Sequence, residues 1–191
     1  MNIDRIIDES AEAIQSIRTL KPLIETGIEI LVNSLQSGGK ILACGNGGSA
    51  ADASHFTTEF LCRFVNDRPS LPAISLNCDG SFLTATSNDY GYDYVFARQI
   101  EGLGKAEDVL VGITTSGNSS SVTRAIETAK ERGMKTIALL GRDGGMAKGL
   151  ADVDLVVPVN ATARIQEAHT VIIHLLCGGT EARIFPEVAQ D

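Results

Sequence analysis

The chain has 191 residues, 43% of them hydrophobic and 21% charged, and its formal net charge is −8. That length supports one sizeable core rather than two, and the acidic balance argues against a nucleic-acid groove as the main business. No apolar run approaches the roughly 20 residues that span a bilayer, and the N-terminal Met-Asn-Ile-Asp-Arg lacks the apolar centre of a signal peptide. Cys44, Cys62, Cys78 and Cys177 are scattered without C-x-x-C spacing. Reduced thiols in a cytoplasmic protein are therefore expected, each behaving as a small buried hydrophobe.

Ile3, Ile6, Ile7, Ala11, Ile14 and Ile17, then Leu23, Ile24, Ile28, Leu31, Val32 and Leu35, recur at helical spacing, with Pro22 opening the second segment. Two helices are expected here, their apolar stripes covered either by the protein's own sheet or by a second subunit. Ile41 to Cys44 reads as a buried strand, Gly45 to Ser49 as a sharp turn, and the alanine-rich segment that follows as a helix. Ser49 or Asp52 is placed to stabilise the first turn of that helix. Further on, strands are expected at Leu71–Leu76, Asp108–Thr114, Lys135–Leu140 and Leu155–Val159. Between them lie a helical turn at Ser81–Thr86, a loop from Ser87 to Tyr92, and helices through Phe96, Ile100 and Leu103 and through Val122 to Ala129. A last helix starts near Ala163 and runs towards Leu176, where Gly178-Gly179 can interrupt it. Strands alternating with helices predict an α/β three-layer sandwich around a five-stranded, mostly parallel sheet. One domain is expected over residues 1–191, with a helical pair at 1–37 leading an α/β core at 38–191.

Ligand contacts in such a sheet gather at the carboxyl ends of its strands. The turn Gly45-Asn-Gly-Gly-Ser-Ala50 lets backbone N–H groups converge at a helix N-terminus, where a phosphate can sit. It formally fits G-x-G-x-x-A, but a dinucleotide fingerprint wants an acid closing the next strand, and the nearest is Asp79. No Gly-Lys-Ser/Thr of a nucleotide P-loop is present. The hydroxyl-rich loop Thr114–Ser121 reads either as a second phosphate cradle or as a serine-rich helix cap in water. His55 and Glu59 share a helical face, either as a surface pair or as part of a site. The remaining histidines, His169 and His174, lie with Gln166 on the last helix. A His-x-x-x-Glu pair with one more imidazole makes a reasonable divalent-metal site, zinc being the usual choice. Spacing alone does not choose between His169 and His174.

Five segments together carry a resemblance. They are Cys-Gly-Asn-Gly-Gly-Ser-x-x-Asp-Ala-x-His-Phe-x-x-Glu (44–59), Arg-Pro-x-x-Pro-Ala (68–73), Asn-Asp-Tyr-Gly-Tyr (88–92), Thr-Ser-Gly-Asn-Ser (115–119) and Arg-Ile-Gln-Glu-x-His-x-x-x-x-His (164–174). The chain resembles the sugar-isomerase (SIS) domain family, and within it the bacterial phosphoheptose isomerases, over nearly its whole length and in the same order. The resemblance implies a flavodoxin-like SIS fold with two extra N-terminal helices at a subunit interface, in a homotetramer with active sites between subunits. It implies an enzyme that converts sedoheptulose 7-phosphate to D-glycero-D-manno-heptose 7-phosphate through an enediol, the first step towards the activated heptose of lipopolysaccharide core or surface glycans. Neither a nucleic acid nor a membrane is an expected partner. His55, Glu59, Gln166 and His174 match the family's ligands for one zinc ion per subunit. Asn46, Gly47, Gly48, Glu59, Asn88, Asp89, Thr114, Thr115, Ser116, Ser119 and Gln166 match its substrate contacts. Glu59 is the expected base and His174 the expected acid. The alternative within the same fold is a non-catalytic SIS tetramer that binds a replication initiator or senses a phosphosugar; it lacks an acidic residue at the Glu59 position.

Overall fold

The computed structural model describes residues 2–187. Its helices and strands run α1 (Ile3–Ser16), α2 (Lys21–Gln36), β1 (Ile41–Gly45), α3 (Gly48–Leu61), β2 (Ala73–Ser75), α4 (Gly80–Tyr90), α5 (Ala97–Leu103), β3 (Val109–Thr114), α6 (Ser120–Glu131), β4 (Lys135–Gly141), β5 (Val153–Val157) and α7 (Thr162–Ile184). Short 3-10 turns lie at Ile17–Leu20, Tyr92–Tyr94 and Gly145–Ala147. Among the described residues the strands form one five-stranded sheet in the order β2-β1-β3-β4-β5, every pair parallel. This is the flavodoxin-like order.

Successive strand residues face opposite sides of the sheet, and the core divides accordingly. Ile41, Ala43, Val109, Val111, Ile137 and Leu139 face one side, where α2, α3 and α7 supply Ile28, Leu31, Phe56, Phe60, Ile172 and Leu176. Leu42, Cys44, Leu110, Ala138 and Leu140 face the other, where α5 and α6 supply Ile100, Val122 and Ile126. The three layers are thus helix, sheet and helix. The open question of what covers the leading helices divides between them: α2 buries its stripe on the protein's own sheet, whereas α1 leaves Ile3 and Ile7 about 60% exposed.

Several boundaries differ from the sequence expectation for local reasons. Strand β5 ends at Val157, because Pro158 has no N–H to continue the ladder. The helical turn expected at Ser81–Thr86 is the longer helix α4, capped by the Asp79 carboxylate, which accepts from Phe82 N at 3.0 Å. Asn88 and Asp89 therefore occupy a helix end rather than a loop. Gly178-Gly179 does not interrupt α7; a Cβ on Gly179 would lie 2.4 Å from Ile28 Cδ1. Gly179 is small so that α2 can lie close, whereas Gly178 faces the Phe64 ring, where a Cβ would stand 3.2 Å from Cε1. Of the cysteines only Cys44 and Cys177 are buried, while Cys62 and Cys78 are exposed free thiols. No helix among the described residues is long and apolar enough to cross a membrane.

Candidate active site

In a sheet of this order, β1 and β3 are neighbours whose connections leave on opposite sides, and the crevice outside their carboxyl ends is the natural place for a ligand. The chain leaves β1 through Gly45, whose absent Cβ would otherwise stand 2.4 Å from the Ser49 carbonyl oxygen. Gly47 follows with φ of 57° and ψ of −121°, a conformation open only to glycine, and serves as N-cap of α3. No side chain caps that helix. Ser49 is buried in its first turn instead of capping it, and Asp52 has one buried carboxylate oxygen without a partner. Burial raises the Asp52 pKa, and the neighbouring His55 pulls it part of the way back.

The second loop leaves β3 at Thr114. Its serines are each engaged: Ser119 Oγ lies 3.0 Å from Thr114 Oγ1, Ser121 Oγ accepts from Asn46 Nδ2 at 3.0 Å, and Ser120 Oγ donates to Asp93. Ser119 is the N-cap of α6, but its hydroxyl is turned to Thr114 rather than to the helix. The first N–H groups of α6 therefore have no side-chain cap, as at α3, and remain available to an anion. Ser116 Oγ accepts from Asn118 N at 3.1 Å, and Gly117 turns the chain at φ of 68°, with no room for a Cβ against the Gly144 carbonyl oxygen 1.9 Å away. The loop is thus a fixed surface built from its own hydroxyls. The Asn46–Ser121 bond joins it to the loop after β1.

On α3, His55 Nε2 and Glu59 Oε1 are 3.0 Å apart, one helical turn from each other. Helix α7 packs alongside and brings the His174 ring edge-on to His55, with centroids 5.2 Å apart. The Phe64 ring also packs against His174, tilted to it with centroids 5.5 Å apart. Glu59 retains 19% side-chain exposure, so the group is reachable from solvent. Gln166, at the start of the same helix, touches the other end of α3: a Cβ on Gly48 would stand 2.0 Å from Gln166 Nε2. Helices α3 and α7 thus bring His55, Glu59 and His174 together, with Gln166 against the glycine turn. Asn88 and Asp89 are not drawn into this group by any hydrogen bond among the described residues; the Asn88 amide donates to Asp89 Oδ1 at 2.8 Å. Two imidazoles, a carboxylate and an amide form a donor set suited to zinc. As placed, His55 and Glu59 engage each other, and among the described residues no three His, Cys, Asp or Glu side chains converge on a common point.

The geometry separates the two histidines of α7. His169 is fully buried, and its Nε2–H donates to the Leu140 carbonyl at 3.0 Å while Nδ1 is buried without a partner. Burial drives its pKa down to about 4, opposed only by that backbone bond. It packs α7 onto β4 as a neutral ring and does not face Glu59. Because the folded pKa lies below the unfolded value of 6.5, the unfolded chain takes up the proton first. The contribution is fully present above pH 6.5 and is lost as pH falls towards 4. Denaturant titrations at pH 7 and pH 4.5 should show wild type losing ~2–3 kcal/mol more than His169→Gln over that interval.

Sequence reasoning missed two parts of this site. Tyr92 donates from its hydroxyl to Asn46 Oδ1 at 2.7 Å. Arg68, with a side chain only 1% exposed, donates to the backbone carbonyls of Glu59 and Phe60 and pairs with Glu181 on α7. Arg68 stood in a recognised motif, but nothing local tells that its partner lies on the last helix.

A family model described as the SIS domain matches residues 6–141. Phosphoheptose isomerase from Shewanella frigidimarina is 47% identical over 195 aligned positions, covering 98% of this chain and 99% of the relative. The chain belongs to the phosphoheptose isomerase family of SIS domain proteins. Another member, from Helicobacter pylori strain P12, is 53% identical over 163 positions and 85% of each chain. Among solved structures, phosphoheptose isomerase from Neisseria gonorrhoeae superposes with a TM-score of 0.85 at 46% identity, covering 94% of this chain and 97% of that one. The enzyme from Francisella tularensis gives 0.89 at 41% identity over 93% and 95%. The SIS model ends at β4, whereas the full-length phosphoheptose isomerase relatives extend through α7, which carries Gln166 and His174.

Proposed function

We propose that this protein isomerises sedoheptulose 7-phosphate to D-glycero-D-manno-heptose 7-phosphate, the first step towards the activated heptose of lipopolysaccharide core or surface glycans. The observation that carries the reading is the Glu59 carboxylate paired with His55, whose ring in turn meets His174 edge-on, beside two helix N-termini without side-chain caps at the β1/β3 crevice. Membership of the phosphoheptose isomerase family supplies the substrate class. It also favours catalysis over a non-catalytic SIS tetramer, since Glu59 is present and paired.

Ketose-to-aldose isomerisation moves a proton from C1 to C2 while the hydroxyl and carbonyl oxygens exchange theirs, so it needs a base, an acid and a means to hold enediolate charge. In this reading Glu59 takes the C1 proton and returns it to C2. His174 serves the two oxygens. The α6 N-terminus and the loop from Thr114 to Ser119 hold the phosphate, while Asn46, Gly47, Gly48, Asn88, Asp89 and Gln166 fix the polyol chain so that C1 and C2 meet Glu59. A zinc ion held by His55, Glu59, Gln166 and His174, one per subunit, would polarise the carbonyl and stabilise the enediolate. We place the enzyme in the cytoplasm as a homotetramer with sites between subunits, the exposed isoleucines of α1 and the apolar groove between α1, α2 and α7 giving the subunits their contact.

The test is turnover of sedoheptulose 7-phosphate in deuterated water, with enzyme stripped by a chelator and refilled with zinc as the parallel arm. Aldose carrying deuterium at C2, formed only by metal-replete protein, is the expected result. Absence of product from zinc-loaded wild type would overturn the proposal. Gly48→Ala tests the placement of Gln166: its Cβ displaces the Gln166 amide, the flexible end of a side chain, so stability should hold while kcat/KM drops roughly 100-fold. Thermal unfolding and steady-state kinetics on the same preparation check both halves.

A further inference from the structure

The segment after α4 is tied to the site by consecutive residues. Gly91, at φ of 92°, turns the chain out of the helix. Tyr92 then donates to Asn46 Oδ1 at 2.7 Å, Asp93 accepts from Ser120 Oγ, and the Tyr94 ring lies beneath the Arg124 guanidinium at 4.3 Å. Ser120 and Arg124 both belong to α6, so the 3-10 turn Tyr92–Tyr94 is anchored on the helix whose N-terminus faces the crevice. Asn46 is held from two sides, its oxygen by Tyr92 and its nitrogen by Ser121. One Nδ2–H of Asn46 is left uncommitted by these bonds.

We infer that Tyr92 is a positioning residue for substrate binding, acting through its hydroxyl on Asn46. An asparagine in a glycine turn has a freely turning side chain, and ordering it on ligand binding costs affinity. The Tyr92 hydroxyl removes that cost beforehand by holding the amide against Ser121, so that its remaining N–H is already aimed when the open-chain sugar phosphate arrives. The aromatic ring is half exposed, so the hydroxyl's contribution lies in orientation rather than in packing.

Tyr92→Phe keeps the ring and removes only the donor. It should raise KM for sedoheptulose 7-phosphate roughly fivefold, the size of one lost neutral hydrogen bond, with kcat within about twofold of wild type. A double-mutant cycle with Asn46→Ala decides whether the effect passes through Asn46: in that background Tyr92→Phe should add nothing. An equal KM increase in both backgrounds, or none in wild type, overturns the inference. The kinetic arm rests on the isomerase reading, so a second arm is independent of turnover. The Asn46 side-chain amide signal, assigned by its loss in Asn46→Ala, should shift or broaden in the nitrogen–proton spectrum of Tyr92→Phe. An unchanged amide signal sinks the inference whatever the enzyme does, whereas a shifted signal without turnover would count against the proposed reaction alone.

Discussion

Glu59→Gln should lower kcat by roughly three orders of magnitude while the protein unfolds at nearly the wild-type temperature. Gln has the shape of Glu, and its amide can still meet His55 Nε2, 3.0 Å from Oε1 in the wild type. What it lacks is a basic oxygen to take the proton from C1. Loss of deuterium incorporation in step with loss of product ties the defect to proton transfer. Chelator and zinc refilling on the variant separate that role from metal holding, because restored metal content without restored rate leaves the missing base as the cause. A variant that keeps wild-type turnover would remove Glu59 from the mechanism.

The second large effect is on stability and comes from Arg68. Its Nε pairs with Glu181 at 2.9 Å, its Nη1 donates to the Phe60 carbonyl at 2.8 Å, and its Nη2 donates to the Glu59 carbonyl at 2.6 Å. Glu181 also accepts from the backbone N–H groups of Phe64 and Asn66. Burial pushes the Glu181 carboxyl up, but the hydrogen bonds from Asn66, Arg68 and Phe64 outweigh it and leave the pKa below the ordinary value of 4.5. Arg68→Met leaves this carboxylate and the end of α3 buried without their cation, at a cost of about 3–5 kcal/mol by denaturant unfolding. Adding Glu181→Leu should recover only part of the loss, since the Asn66 and Phe64 amides then go unpaired. Stability from the Glu181 carboxylate is present above pH 4.5 and is lost as pH falls through its lowered folded value, below most of the interval in which His169 acts. A loss below 1 kcal/mol in Arg68→Met would show the pair to be dispensable. Because Arg68 holds the Glu59 backbone, the variant should also lose kcat at temperatures where it remains folded.

Much of this protein is written in short stretches of its chain. Apolar runs at Ile41–Cys44 and Val109–Ile113, short and bounded by glycine or polar turns, read as buried strands, glycine at 47 is demanded by the backbone of its own turn, and His55 and Glu59 meet because four residues make one helical turn. Those features depend on neighbours in sequence, so they are legible without a structure. Strand order, the selection of His174 over His169, the burial of Arg68 with Glu181 and the reach of Tyr92 to Asn46 join residues distant in the chain. Local propensity is silent on these, since packing α7 against α3 and against β4 decides which face each histidine presents. The same holds for Gly48 and Gly179, which read as turn or break signals in sequence. Both sit inside helices and are small because Gln166 and Ile28 press against them.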